Sequence, residues 1–600
     1  MAVKDKKRDS GKTIQEKANV LWDVANSLAG LYKPHEYGLV ILPMAVVKRF
    51  HDCLLPTYAK VQKEYAAKKH LQVKEAFLKA ASGYNFYNTS KFTFETLLAD
   101  PKNIAANFRD YLNGFSENVR DVLEQMKFED QITTMEKGGV LYQVISDFNS
   151  AKADMSPEKV ATNDMGYIFE NLVARFSESY DEQAGAHFTS RDIIYLMCDL
   201  LTVFGIGAKG ASKTVYDMTM GTSQMLTCME DRLREVDSTI EVTNFGQEFN
   251  PFTFGIAKAD MLIRGGNPDN MRYGNTLSDD KFGGFKFDYV ISNPPFGIDW
   301  KVEAKDVEAE AAKGDAGRFG PGLPSKSDGQ MLFLLNGISK LKDDGRMAII
   351  QNGSSLFSGD AGSGPSEIRR HIIENDWLEA IVQLPNDSFY NTGIATYVWV
   401  VTKSKPKERK GKVQLIDASK CCEPRRKSIG NKRVDITEAC RELIVKAYGD
   451  FKTRNYRFEH GTGGGLSSAR NGSSELVCKS HIFTNRAFGY TKIVVESPLI
   501  EGGKRVLKKD RPVADIAKRD TENVPLGEAI GEYMKREVLP YNPDAWVDGA
   551  KSKVGYEIPF TRTFYEYKKI EPSADIAKRI KEHESRLSAT LDKLFGEGGK

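Results

Sequence analysis

The stretch Phe287-Asp288-Tyr289-Val290-Ile291-Ser292-Asn293-Pro294-Pro295-Phe296-Gly297 constrains this chain more than any other. Its first half is a short apolar run suited to a buried parallel strand. Two prolines then stop the strand, because each lacks a donor and fixes φ. A residue before proline is driven to extended geometry. Asn293 is therefore expected at the carboxyl edge of a sheet, followed by a stiff turn that presents Phe296. In open α/β sheets that edge is where ligands bind. Taken alone, the pattern also fits a strand ending in a proline turn with Phe296 as a core anchor.

What precedes the strand argues for a ligand. A strand at Thr214–Tyr216 leads into Asp217-Met218-Thr219-Met220-Gly221-Thr222-Ser223-Gln224. An acidic residue at a strand end, a tight loop of small residues and then a helix is the first βα turn of a Rossmann-like unit. Gly221 permits close backbone approach, and the helix N-terminus offers free N–H groups. A second strand, Ile240–Phe245, ends at Gly246-Gln247-Glu248, where an acidic group can accept both hydroxyls of a ribose. A third ends at Gly274-Asn275-Thr276-Leu277. After the opening stretch come a helix Gln330–Leu341 and strands at Arg346–Ile350, Leu378–Leu384 and Thr396–Thr402, with Lys412–Asp417 as a further candidate. This alternation implies a mostly parallel, doubly wound sheet. The segment Asp299–Lys326 is too long for a plain connection and reads as a lid or substrate loop.

The chain of 600 residues is too long for one domain. Residues 1–160 read as an all-α N-terminal domain, with Leu21, Trp22, Ala25, Leu28 and Leu31, then Ile41, Leu42, Ala45, Val46 and Phe50, at helical spacing. Residues 161–458 form the α/β domain, 459–475 a Gly/Ser-rich flexible linker, and 476–600 a mixed, partly helical C-terminal region. Its last helix, Ser573–Phe595, sets Ile576, Ile580, Leu587, Leu591 and Leu594 on one stripe, for packing within the chain or against a partner helix. Lys+Arg of 85 against Asp+Glu of 82 gives no strong overall field, so any nucleic-acid surface must be local. Two basic runs, 403–412 and 425–433, are either solvated loops or phosphate contacts beside the cleft. Seven scattered cysteines without a Cys-x-x-Cys pair fit a reducing compartment and argue against a cysteine metal site. The charged N-terminus and the shortness of the apolar run Val40–Val47 point to a cytoplasmic protein with no membrane span.

The tetrapeptide Asn293-Pro294-Pro295-Phe296 resembles the catalytic motif of amino-group methyltransferases. Gly185-Ala186-His187-Phe188-Thr189-Ser190 resembles their Gly-x-aromatic-aromatic-Thr-Pro element, which lines the methionine end of S-adenosyl-L-methionine. Here Ser190 replaces the proline and His187 an aromatic; by itself Ser190 also suits the N-cap of a helix Arg191–Phe204. The loop Asp217–Gln224 resembles Asp-Pro-x-x-Gly-[Ser/Thr]-Gly-Gly, with Met218, Ser223 and Gln224 departing from it. Lys48-Arg49-Phe50-His51-Asp52, Arg318-Phe319-Gly320 and Gly555–Arg562 extend the likeness over nearly the whole chain, to the methyltransferase (M) subunit of type I restriction–modification systems.

That resemblance implies N6-adenine methylation of double-stranded DNA and the cofactor S-adenosyl-L-methionine. Partners would be a specificity (S) subunit, a second copy of the chain in an M2S1 assembly, and a separate restriction (R) subunit. Its site residues would be Asn293, Pro294, Pro295 and Phe296 for chemistry, with Gly185, Ala186, His187, Phe188, Thr189, Ser190, Asp217, Gly221, Thr222, Ser223, Gln224, Glu248 and Asn275 for the cofactor. The departures in the Asp217–Gln224 loop keep a non-catalytic scaffold subunit as an alternative. A glutamine-amide protein methyltransferase is the other, although it would not need the long flanking regions.

Overall fold

A computed structural model describes residues 15–179, 189–390, 392–458, 477–509, 511–567 and 571–596. The elements Gly185, Ala186, His187 and Phe188, and the expected linker, lie outside the described residues.

The N-terminal region is helical, as its apolar spacing implies. Its longest helix, α1 (Gly38–Leu54), is buried on every side and holds Ile41, Val46 and Phe50 in the core. The charged cluster within it has a structural use. Lys48 pairs with Asp52 at 2.6 Å, Asp52 accepts the Met155 N–H at 2.8 Å, and Arg49 donates to the Val160 carbonyl at 2.9 Å. Together they fix the segment that leads into α2 (Thr162–Ser179). Met165, Ile168 and Phe169 of α2 share the apolar core of the N-terminal helices, and so do Ile256, Ala259 and Leu262 from the α/β region. The helical and α/β regions are thus fused through one core across residue 160.

Beyond α3 (Arg191–Thr202) the chain enters its main sheet. The strands are β1 (Ser212–Asp217), β2 (Glu241–Glu248), β3 (Met271–Tyr273), β4 (Phe287–Ser292), β5 (Leu341–Asn352), β6 (Leu378–Gln383), β7 (Thr396–Thr402) and β8 (Lys412–Lys420). A short hairpin, β9 (Glu423–Ile429) and β10 (Lys432–Asp435), follows, and β11 (Arg454–Arg457) and β12 (Val477–Thr484) return to the main sheet. The spatial order is β11-β12-β8-β6-β7-β5-β4-β1-β2-β3. Pairings from β3 through β5 are parallel, as is β6 with β8. The expectation of a mostly parallel sheet needs correction in the other half. There β7 runs antiparallel between β5 and β6, and β12 runs antiparallel to β8 and β11. The helix expected over Gln330–Leu341 ends at Ser339, and its residues Gln330–Ile338 are all buried, because it is covered by sheet and neighbouring helices rather than presenting one face.

The two basic runs are divided: Lys405, Arg409 and Lys432 are buried, which neither expected reading allowed, whereas Lys407, Lys410, Lys412, Arg426, Lys427 and Arg433 are exposed. Lys405 is buried against Asp376 at 2.6 Å, and Lys432 against Asp192 at 2.9 Å. Arg409 is sandwiched against the rings of Phe204, Tyr448 and Phe451 at 4.3–4.7 Å, with Glu379 at 3.6 Å. Glu379, fully buried, also accepts from Arg346 (2.5 Å) and the Tyr448 hydroxyl (2.7 Å), tying β5 and β6 to the helix Glu438–Asp450.

A smaller antiparallel sheet places Gly489–Glu496 between Asp520–Pro525 and Trp546–Tyr556. Buried Arg369 joins it to the main body by donating to the Tyr556 and Ser355 carbonyls at 2.6 and 3.1 Å. Contacts divide the chain into two units, residues 1–558 and 559–600. The second holds the helix Ser573–Gly596, on which Ile576, Ile580, Leu587 and Leu591 are exposed. The hexapeptide Ala-Asp-Ile-Ala-Lys-Arg occurs twice, as a single 3-10 turn around Ile516–Lys518 and inside this α-helix, so context sets its conformation. Among the described residues no helix is long and apolar enough to cross a membrane.

Replacing Glu379 with Ala leaves Arg346 and Arg409 buried without their shared carboxylate. Loss of one partner of a buried ion pair costs about 3–5 kcal/mol. Urea unfolding of Glu379→Ala should show a loss of that order, and an unchanged midpoint would mean the cluster does not hold β5, β6 and the helix together.

Candidate active site

The carboxyl ends of β1, β2 and β4 meet at a cavity of about 430 Å³. That is within the range of small-molecule and cofactor sites, roughly 300–1,000 Å³. Thr189, Asp217, Thr222, Gln224, Glu248, Asn275, Asn293 and Pro295 all line it. Sequence regions more than 100 residues apart are thereby brought to one place, as Thr189 and Asn293 show. Gly221 and Ser223 belong to the same loop without lining the cavity, and Ser190, Pro294 and Phe296 stand just outside it.

Asp217 ends β1 and is almost wholly buried. One of its oxygens accepts the Ser292 hydroxyl at 2.6 Å and the Thr219 N–H at 3.0 Å. Burial pushes its carboxyl up to about 7 against those two donors. Glu248 ends β2, and its two oxygens each accept one backbone N–H, from Gly221 (2.8 Å) and Asn250 (2.7 Å). A carboxylate has about four acceptor positions, so two remain for a ligand.

The loop between β1 and α4 (Gln224–Val236) turns through Gly221 at φ +53° and Ser223 at φ +69°. The second of these is a left-handed position that a side chain occupies at a cost. Met218 is among the residues that line the cavity. Its side chain runs inward, with Sδ 3.4 Å from Asn336 Nδ2 and its methyl against Gly337, while its carbonyl accepts the Thr276 hydroxyl at 2.5 Å.

Asn293 leaves β4 at the cavity wall. Its Nδ2 donates to Thr189 Oγ1 at 2.8 Å, and its Oδ1 is buried with no hydrogen-bond partner among the described residues. Ser190 Oγ and Ser223 Oγ are likewise buried and unpartnered. The expected capping role of Ser190 is thus corrected: it holds the N-cap position of α3, but its side chain makes no cap bond. Buried polar atoms normally have partners, and the free acceptor of Asn293, a cavity-lining residue, fits a polar ligand with a donor. Phe296 packs edge-on to Phe389, ring centres 6.4 Å apart.

Asn275 is more occupied than its sequence context suggests. Its Oδ1 accepts the Leu277 N–H at 3.0 Å and its Nδ2 donates to Glu303 at 2.8 Å. Glu303 comes from the segment read as a lid, and that segment is pinned. Arg318 donates to Glu310 (2.6 Å) and to the Thr276 and Leu277 carbonyls (2.7 and 3.1 Å), and Trp300 is buried with Nε1 on the Ser325 carbonyl at 2.8 Å. Sequence reasoning missed Phe249, Tyr273 and Ile298, which also line the cavity and are 63%, 43% and 38% exposed. Phe249, directly after Glu248, carried the one available signal: an apolar side chain next to an acidic strand end.

An N-6 DNA Methylase family model matches residues 160–464, and an HsdM N-terminal domain model matches residues 17–148. The chain is 28% identical over 289 residues to the type I restriction enzyme MjaIX methylase subunit of Methanocaldococcus jannaschii, covering 48% of this chain and 49% of that protein. It is 29% identical over 257 residues to the HindI methylase subunit of Haemophilus influenzae, covering 42% and 54%. The chain thus spans about half the length of the curated relatives it matches. Among solved structures, the type I restriction-modification system methyltransferase subunit from Streptococcus thermophilus shares the fold. It superposes with a TM-score of 0.59 at 22% identity, over 74% of this chain and 95% of that one.

The raised carboxyl of Asp217 has a sign that can be measured. A group whose folded value lies above its unfolded value of roughly 3.9 contributes full stability below that pH and loses it as pH rises through about 7. Asn at 217 keeps the acceptor oxygen and never ionises. Between pH 5 and 8 the urea stability of the unmodified chain should fall by roughly 2–4 kcal/mol more than that of Asp217→Asn. Parallel pH profiles would remove Asp217 as the titrating group.

Proposed function

The chain belongs to the N-6 DNA Methylase family, and on that premise we propose that it methylates the N6 amino group of adenine in double-stranded DNA. The observation that carries this reading is Asn293 Oδ1, a buried acceptor without a partner among the described residues, on a residue that lines a cavity with Asp217 and Glu248.

S-adenosyl-L-methionine is the donor that suits the cavity, and when bound it supplies an electrophilic methyl group. Glu248 would hold its ribose through the two free acceptor positions, the loop 217–224 would face its amino-acid part, and Tyr273 and Ile298 offer apolar walls. Asn275 would contribute less than its place suggests, since Leu277 and Glu303 already use its amide.

The adenine amino group is a poor nucleophile, because its lone pair is delocalised into the ring. Asn293 Oδ1 and the Pro294 carbonyl would accept its two N–H bonds, favour a pyramidal nitrogen and aim the lone pair into the cavity. Thr189 fixes the amide orientation that leaves Oδ1 unused, by accepting from Nδ2. The two prolines add stiffness and bring no competing donor. Phe296, backed by Phe389, gives a face on which a base taken out of the duplex would stack, worth about 1–3 kcal/mol.

We assign the chain on this reading to the cytoplasm, as the M subunit of a type I restriction–modification complex. Its partners would be an S subunit that supplies sequence choice, a second copy in an M2S1 assembly, and an R subunit for restriction. The long helical and C-terminal flanks support this over a glutamine-amide methyltransferase, and the unpartnered acceptor of cavity-lining Asn293 supports a working site over a scaffold.

Transfer of tritiated methyl to duplex DNA, compared with transfer to protein and assayed with and without a co-purified specificity subunit, tests the reading. Asn293→Ala should lower turnover by roughly 10²–10³-fold or more, with donor affinity nearly unchanged. Activity close to that of the unmodified chain would end the assignment. Thr189→Val should lower kcat roughly 5–10-fold, the worth of one oriented hydrogen bond, and Thr189→Ser should restore it. Equal losses in both Thr189 variants would refute the orienting role.

A further inference from the structure

We propose that the β9–β10 hairpin is a phosphate-contacting clamp for the DNA backbone beside the base pocket, acting through Arg426, Lys427 and Arg433. This rests on the reading of duplex DNA as substrate. A cationic loop is usually just solvated, so the inference needs more than charge.

The first observation is where the hairpin is held. Buried Lys432 donates to Asp192 in the first turn of α3 (2.9 Å) and to the Ser388 carbonyl (3.1 Å), while the Ile436 N–H reaches the same Asp192 oxygen at 2.8 Å. Asn431 N–H donates to the Tyr390 carbonyl at 2.8 Å, and Arg433 N–H to the Asp387 carbonyl at 2.9 Å. Gly430 turns the tip at φ +53°, and a Cβ there would sit 2.5 Å from the Tyr390 carbonyl oxygen, so only glycine allows this approach. The tip is therefore wedged between the start of α3, two residues after Thr189, and the loop that carries Phe389. Phe389 is the ring packed edge-on to Phe296. A hairpin docked this way keeps a fixed position beside the catalytic motif.

The second observation is how its charges are sorted. Three acidic groups around the hairpin are already engaged. Asp192 takes Lys432, Asp435 takes Arg425 and lies 3.5 Å from Lys432, and Glu423 accepts the Thr437 hydroxyl at 3.1 Å. Arg426, Lys427 and Arg433 are exposed, and none has an ion-pair partner among the described residues. Three cations are thus left outward on a rigid mount at the edge where a duplex must lie to deliver a base to Phe296. A net charge of +3 for the whole chain makes such a local set the means of attracting phosphate.

Salt dependence gives the test. Full-length Arg426→Ala/Lys427→Ala/Arg433→Ala and the unmodified chain are titrated with a labelled duplex from about 50 to 200 mM salt, alone and with a co-purified specificity subunit. Each lost phosphate contact should reduce the slope of log affinity against log salt by about 0.9, so the slope should fall by roughly 2–3. Affinity at physiological salt should drop roughly 10–100-fold. S-adenosyl-L-methionine binding by calorimetry should stay the same, and Arg426→Lys/Arg433→Lys should keep the slope. An unchanged slope in the triple variant overturns the clamp while leaving the substrate reading intact. A triple variant that also loses donor binding overturns it too, since the hairpin would then act by holding the cleft together. If the unmodified chain binds no duplex in either form, the substrate reading fails first and the clamp with it.

Discussion

The hydroxyl of Ser292 donates to Asp217 across 2.6 Å, and the cleft is arranged around that bond. It joins the last residue of β4 to the last residue of β1, two strands that are neighbours in the sheet. Ser292 is also 2.8 Å from the Thr219 hydroxyl, and Thr219 N–H returns to Asp217. One short hydrogen-bonded chain therefore ties the loop that faces the cavity to the strand that presents Asn293. A carboxyl so deeply buried is costly unless it is bonded, and here the bonding partners are the elements whose positions matter most. Displacing the β1 loop would move Asn293, because both hang from the same side chain.

Much of this was legible in the sequence, because the signals lie at strand ends. Asp217, Glu248 and Asn293 each close a short apolar run, and the parallel half of the sheet brings those ends together. Strand direction was not legible in the other half. Apolar runs at Leu378–Gln383 and Thr396–Thr402 look alike whether they run with or against β5, and their order depends on which edge the chain reaches. The buried cations were hidden for a related reason. Lys432 reads as part of a solvated basic run until its partner is known, and Asp192 lies 240 residues away. Arg409 keeps its place through rings at Phe204, Tyr448 and Phe451, from both sides of it in the chain. Pairings of that span leave no local pattern. Asn275 fits the same account, since the Glu303 that takes up its amide lies 28 residues further along the chain, just before the helix Ala304–Ala311.

The loop between β1 and α4 departs from the glycine-rich pattern, yet its path does not depend on glycine at each position. Backbone donors hold it. Met220 N–H reaches the Gln247 carbonyl at 3.0 Å, Ser223 N–H reaches the Met220 carbonyl at 2.7 Å, and Gly221 N–H reaches Glu248. With these bonds in place Ser223 can sit at φ +69°, a conformation that costs of order 1–3 kcal/mol outside glycine. Gly246 on β2 completes the fit, because a Cβ there would run 2.2 Å from Met220 Sδ. Of the side chains that replace proline and glycine, Met218 and Gln224 line the cavity without closing it, and Ser223 does not line it. Met218 fills the core beside Gly337, and Ser223 keeps a buried hydroxyl beneath the helix N-terminus. A loop whose geometry is fixed from β2 can change its side chains without closing the cavity, and the carboxylate that fixes it, Glu248, is the group with acceptor positions still open toward a ligand. Loop shape and the proposed ligand recognition therefore share one residue, so substitutions at Met218 and Ser223 leave the loop's path in place and one at Glu248 would not.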